Sequence, residues 1–185
     1  MKTHAEGSLF LTASIVAIGA FDGVHQGHQA VIREAVNRSR ELKVPSVVFT
    51  FDPPPRNYFQ GVQMLTPIDE KLQRLAELGV EHAIVAKFNT SYAKRSSSRF
   101  IQGLARLNPL EIMVGEDFRF GRNREGDVSL LSQFFQVQVT EPVCCSGGKR
   151  ISSTRIRELI AQGDLQQSHS LLGWPVGEKE GGACS

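Results

Sequence analysis

The sequence predicts an α/β protein: an open sheet of about five parallel strands with flanking helices. Two observations predict it. Short β-branched runs alternate with amphipathic helical patterns along the chain, the pattern of parallel βαβ units. The chain has 185 residues, 41% of them hydrophobic and 22% charged, which suits one soluble domain with a sizeable core.

The elements follow in order. "SIVAIG" (Ser14–Gly19) is a buried strand. "HQAVIREAVNRSREL" (His28–Leu42) is helical, with Val31, Ile32, Ala35, Val36 and Leu42 near one face. "SVVFTF" (Ser46–Phe51) is the next strand. "TPIDEKLQRLAELG" is a helix with Thr66 as N-cap, Pro67 in its first position and Gly79 just past its end. "HAIVA" (His82–Ala86) is a third strand, Ser97–Leu107 a helix and "EIMVG" (Glu111–Gly115) a fourth strand. A short helix over "DVSLLSQFF" leads to a fifth strand, "QVQVTEPV" (Gln136–Val143). Two helices close the domain, Ser153–Ala161 and Asp164–Leu172. Residues 1–14 are expected as an N-terminal extension, 15–175 as the domain, and 176–185, which lack periodicity, as a disordered tail.

Composition excludes several classes. A net charge of +2 implies no bulk attraction to nucleic acid or to a membrane surface. The apolar runs are far short of a membrane span, and no signal peptide is expected ahead of Ile15. Of the three cysteines, Cys144 and Cys145 are adjacent and Cys184 sits in a polar stretch. Without C-x-x-C spacing, these are expected to be inert thiols in a reducing cytoplasm.

Ligands of open α/β sheets bind beyond the carboxyl ends of the strands. After the first strand comes "GAFDGVHQGHQAVIREA" (Gly19–Ala35). Gly19 and Gly23 permit a tight turn and close approach of a ligand, and Gly27 leaves room for a bulky anion. His25 falls just before the helix and His28 near its first turn, where free N–H groups and the positive dipole end favour negative charge. Imidazole donors there suit a polyphosphate and a phosphoryl or nucleotidyl transfer. The two histidines could instead bind metal, although a closed zinc site needs more ligands, or could be capping and surface residues. After the last strand, "GGKRISSTRIREL" (Gly147–Leu159) sets Ser152, Ser153 and Thr154 at a helix start among Lys149, Arg150, Arg155 and Arg157. Hydroxyls, free N–H groups and guanidinium forks suit an anion; a capped surface helix is the alternative.

These two stretches resemble the signatures of the nucleotidyltransferase superfamily, H-x-G-H and I-S-S-T-x-x-R. The fuller set "GAFDGVHQGHQ", "TFDPPPR", "LTPIDEKLQRLAELGV", "VGEDFRFGRNREGDVSLL", "ISSTRIRELIAQGDL" and "LLGWP" is similar, in order, to the FMN adenylyltransferase module of prokaryotic bifunctional FAD synthetases. The resemblance implies a Rossmann-like fold, cytoplasmic location, and the conversion of ATP and FMN to FAD and pyrophosphate with Mg²⁺. It implies catalytic roles for His25, His28, Arg150 and Ser153. ATP would be held by Gly19, Ala20, Phe21, Asp22, Gly23, Gly27, Thr154 and Arg157. FMN would be held by Thr50, Phe51, Asp52, Arg56, Phe118, Phe120 and Arg122, with Asp117 near the phosphates and metal. Core packing is the competing expectation for Phe118 and Phe120. The family pattern T-F-x-P-H-P has its histidine replaced here by Pro54, and the riboflavin kinase domain of bifunctional members is expected to be absent. Transfer to another phosphorylated acceptor, and non-catalytic flavin or nucleotide binding, are the alternative functions.

Overall fold

The computed structural model describes residues 1–174; the expected tail, and Cys184 with it, lie outside the described residues. The elements are β1 (Lys2–Ala5), β2 (Ser14–Ile18), α1 (Gln26–Leu42), β3 (Ser46–Asp52), α2 (Pro55–Gln60), α3 (Ile68–Glu77), β4 (His82–Lys87), α4 (Thr90–Ala93), α5 (Ser97–Ala105) and β5 (Pro109–Gly115). A two-stranded ribbon, β6 (Arg119–Phe120) and β7 (Gly126–Asp127), follows. The chain then forms α6 (Val128–Leu131), β8 (Val137–Thr140), α7 (Ser153–Ala161) and α8 (Leu165–Leu172).

The main sheet has six strands rather than about five, all parallel, in the order β1-β4-β3-β2-β5-β8. The added strand is β1, from the segment expected to be an extension. It pairs with β4, Lys2 opposite His82 through Ala5 opposite Val85. "KTHA" is polar and mostly exposed, so no apolar periodicity announces it.

β2 is buried along its whole length. Successive side chains point to opposite faces, so Ile15 and Ala17 join Ile32, Val36 and Leu75 on one side. Val16 and Ile18 join Phe49, Phe100, Leu104 and Ile112 on the other. Leu42, expected on the inner face of α1, is 38% exposed, because the helix ends there.

Two ends differ from expectation. α3 starts at Ile68 after Pro67, with no side-chain cap; Thr66 is fully buried and accepts instead from Arg74 Nη1 at 3.3 Å. β8 stops at Thr140, short of the expected Val143. Pro142 lacks the N–H a ladder needs, and Glu141–Val143 becomes a loop.

From β2 the chain builds outward through β3 and β4, then returns to place β5 on the other flank of β2. The crevice at the carboxyl ends of β2 and β5 is where such a sheet binds ligands.

Candidate active site

A cleft of about 720 Å³ opens at that crevice, lined by Gly19–Asp22, His25, Gly27, His28, and by groups from the loops after β3, β5 and β8. Its floor is the β2–α1 turn. Phe21 (φ 48°) and Val24 (φ 41°) adopt the left-handed region alongside Gly23 (φ 87°), which makes the turn tight. Gly19 has no space for a side chain: a Cβ would lie 2.7 Å from the Phe21 ring.

His25 caps α1, its Nδ1 accepting from the His28 backbone N–H at 3.3 Å. Neutral His25 therefore carries its proton on Nε2. The two imidazoles stack, centroids 3.6 Å apart and planes 18° from parallel, and Phe21 meets His28 edge-on at 5.3 Å. Burial, then the neighbouring Arg150 charge, lowers the His25 pKa to about 4. Burial, then His25, holds His28 well below the usual histidine range. Both rings are thus neutral at pH 7, and His28 Nδ1 is buried without a partner. Gly27 serves closeness rather than open room: a Cβ there would lie 3.3 Å from the His25 ring and 3.5 Å from the Ile151 carbonyl.

The facing wall is the second motif. Val143–Ile151 folds back on itself: Ile151 N–H donates to the Val143 carbonyl, Cys145 N–H to Lys149, and Gly148 (φ 72°) makes the turn. This places Arg150 at the cleft, ion-paired with Glu116 and 3.4 Å from Asp117 across it. Ser152 is the α7 cap, accepting from the Arg155 N–H. Ser153 Oγ donates to the Asp22 carbonyl at 2.9 Å, tying the two motifs together. Thr154 meets Arg56, and Arg157 pairs with the buried Asp22 carboxylate and donates to Gln63 O. Asp22 also accepts from the Leu65 N–H, so its carboxylate serves the turn. Arg155 leaves the cleft: Nη1 donates to Cys145 Sγ at 3.2 Å, which lowers that thiol to about 7 and departs from the expectation of an inert cysteine.

The expected flavin residues divide. Phe51, Arg56 and Phe118 line the cleft. Thr50 does not: it is fully buried, with Oγ1 on the Ala20 carbonyl at 3.0 Å. Phe120 is core, packed on Phe100 with ring centroids 5.0 Å apart. Asp52 and Arg122 lie outside the lining, as does Gly23 of the residues expected to hold ATP; Arg119 and Arg124 line it instead. Two residues apart, Phe118 and Phe120 lie on the same side of the ribbon with rings stacked, centroids 5.6 Å apart; Phe120 is the inner, buried ring and Phe118 the outer one that reaches the cleft. Pro54, which replaces the histidine of the family pattern, lines the cleft, and sequence reasoning missed Phe59 and Glu116 in the lining. Phe59, 67% exposed in α2, is flagged by an unburied aromatic ring.

Among the described residues no cluster of three or more His, Cys, Asp or Glu could hold a metal by protein ligands alone. Glu116 and Asp117 do line the cleft beside Arg150. That fits Mg²⁺, which is held by one or two carboxylates together with substrate phosphates and water. No helix among the described residues is long and apolar enough to cross a membrane.

Comparison with known proteins shows the family. The family model for FAD synthetase matches residues 9–155. A protein of Geobacillus thermodenitrificans named putative bifunctional riboflavin kinase/FMN adenylyltransferase is 61% identical over 177 residues, covering 95% of this chain and 99% of its own. The Escherichia coli K12 bifunctional riboflavin kinase/FMN adenylyltransferase is 37% identical over 171 residues, and the chain spans 54% of its length. Among solved structures, one titled macrolide-efflux protein from Streptococcus pneumoniae superposes with a TM-score of 0.83 at 28% identity, over 95% of this chain and 61% of that one.

Proposed function

The chain belongs to the FAD synthetase family, and from that premise we propose that it transfers the AMP group of ATP to FMN, giving FAD and pyrophosphate. The observation that carries this reading is the joining of two anion-competent helix starts, α1 and α7, by the Ser153–Asp22 hydrogen bond at one cleft. The cleft continues past Phe51, Phe59 and Phe118, an aromatic wall that suits a flat, partly apolar acceptor.

An FMN phosphate oxygen attacks the α-phosphorus of ATP in line. The bond from that phosphorus to the α–β bridging oxygen breaks, and pyrophosphate leaves. No covalent enzyme intermediate is needed, so the protein works by positioning and charge stabilisation. His25 donates from Nε2 and His28 from the α1 start, both as neutral imidazoles. Arg150 exchanges Glu116 for phosphate oxygens, and the α7 start with Ser153 and Thr154 holds the far side. Phe51, Arg56 and Phe118 face FMN. Asp117 and Glu116 would hold Mg²⁺ together with the substrate phosphates, and the ion would supply neutralising positive charge. The reaction belongs to a cytoplasmic biosynthetic enzyme.

The test incubates the purified chain with ATP, FMN and Mg²⁺ and separates flavins by chromatography. Stoichiometric FAD and pyrophosphate are expected. FMN left unconverted, while the AMP group of ATP is transferred with release of pyrophosphate to another phosphorylated acceptor supplied in its place, would refute the choice of acceptor.

A further inference from the structure

The nucleotide turn is held from behind by two cations of α3 that carry no part of the mechanism above. Lys71 is fully buried, which is rare for lysine. Its Nζ donates to the Ala20 carbonyl at 3.0 Å and to the Phe51 carbonyl at 3.1 Å. One helical turn on, Arg74 Nη1 donates to the Gly23 carbonyl at 2.7 Å. Residues three apart share a helix face, so α3 grips both ends of the Ala20–Gly23 turn.

The place of the grip matters. Pairing of β2 with β3 runs to Ile18 opposite Phe49 and closes with the Gly19 N–H on the Phe49 carbonyl. Past that point the two strands part, one into the His25 and His28 turn, the other through Phe51 and Asp52 at the end of β3 toward α2. Lys71 spans the gap between them. A trans peptide points its C=O and the following N–H in opposite directions. Drawing the Ala20 carbonyl onto Lys71 therefore turns the Phe21 N–H away from Lys71. Burial lowers the Lys71 ammonium to about 8 while the facing Asp22 and Asp52 carboxylates raise it, so it stays cationic at neutral pH. Burying a charge is a poor way to stabilise a fold, and an apolar side chain would fill the same volume at lower cost.

We propose that Lys71 is a positioning residue, which with Arg74 fixes the backbone of the Ala20–Gly23 turn in the conformation that receives the phosphates of ATP. This rests on the reading of the cleft as an ATP site. The experiment measures ATP binding by calorimetry, without FMN, on the wild type, Lys71→Met and Lys71→Gln, each below its own melting temperature. Lys71→Met is expected to weaken ATP binding about tenfold, the equivalent of one lost hydrogen bond. Lys71→Gln, whose amide still donates, is expected to recover part of that loss. If Lys71→Met does not fold, Arg74→Met tests the same grip at its other end with the same expectation. A folded Lys71→Met, or in its place Arg74→Met, that melts lower yet binds ATP as the wild type does would overturn the proposal. Wild-type FAD formation is assayed in parallel. Its absence beside intact ATP binding would refute the reaction but not this inference.

Discussion

Arg150→Ala separates a phosphate role from a structural one, because the structure sets the two costs far apart. In the free protein Arg150 is 44% exposed and its partner Glu116 47%, with Asp117 76% exposed and 3.4 Å away. An exposed pair of this kind contributes about 0–1 kcal/mol. For a chain of this size 1 kcal/mol moves the melting temperature by about 2–4 °C, so Arg150→Ala is expected to lower it by less than about 4 °C. Against ATP the same guanidinium makes charge-assisted hydrogen bonds worth about 1.5–3 kcal/mol. That converts to a loss of about 10- to 150-fold in kcat/KM for ATP. Releasing Glu116 offsets up to about 1 kcal/mol of it, which favours the lower half of the range. Arg150→Lys keeps the charge but not the fork, and is expected to fall between. The assay follows initial rates of FAD formation with ATP varied at saturating FMN, beside thermal melts of the same preparations. Unchanged kcat/KM for ATP in Arg150→Ala would refute the argument, whatever the melt shows.

Two further outcomes are expected. His28→Ala should fold, since its Nδ1 makes no hydrogen bond to lose, while kcat falls by about 10²–10³ as one transition-state donor disappears; near wild-type kcat would remove His28 from the chemistry. The lowered His25 pKa, about 4 when folded against about 6.5 unfolded, means the unfolded chain binds the extra proton between those values. Stability from this group is full above pH 6.5 and is lost as pH falls toward 4, by up to about 3 kcal/mol. Denaturant titrations of wild type and His25→Gln from pH 7 to 4 should show the shallower acid loss in the variant, and equal slopes would contradict a buried neutral His25.

The sequence by itself determined the alternation of strands and helices, the start of α1 at its histidines and the start of α7 at its serines. Those features are local: apolar periodicity, caps and turn glycines are written in neighbouring residues. It therefore placed His25, His28, Arg150 and Ser153 at one sheet edge before any contact was known. It could not determine β1, whose polar residues earn their place only by pairing with β4 eighty residues on. Nor could it sort Phe118 from Phe120 or Arg122 from Arg124, since how deep each ring of a stacked pair sits, and which arginine of the following turn reaches the cleft, depends on what packs behind them. Asp22, Thr50 and Thr66 look like ligand or cap residues in isolation. Tertiary structure alone spends them on Arg157, the Ala20 carbonyl and Arg74. Lys71 is the limiting case: one charged residue in an amphipathic helix, indistinguishable in sequence from a solvated one. Its burial follows only when α3 packs against the sheet where β2 and β3 part, bringing its ammonium onto the Phe51 carbonyl and onto the Ala20 carbonyl that Thr50 Oγ1 also reaches.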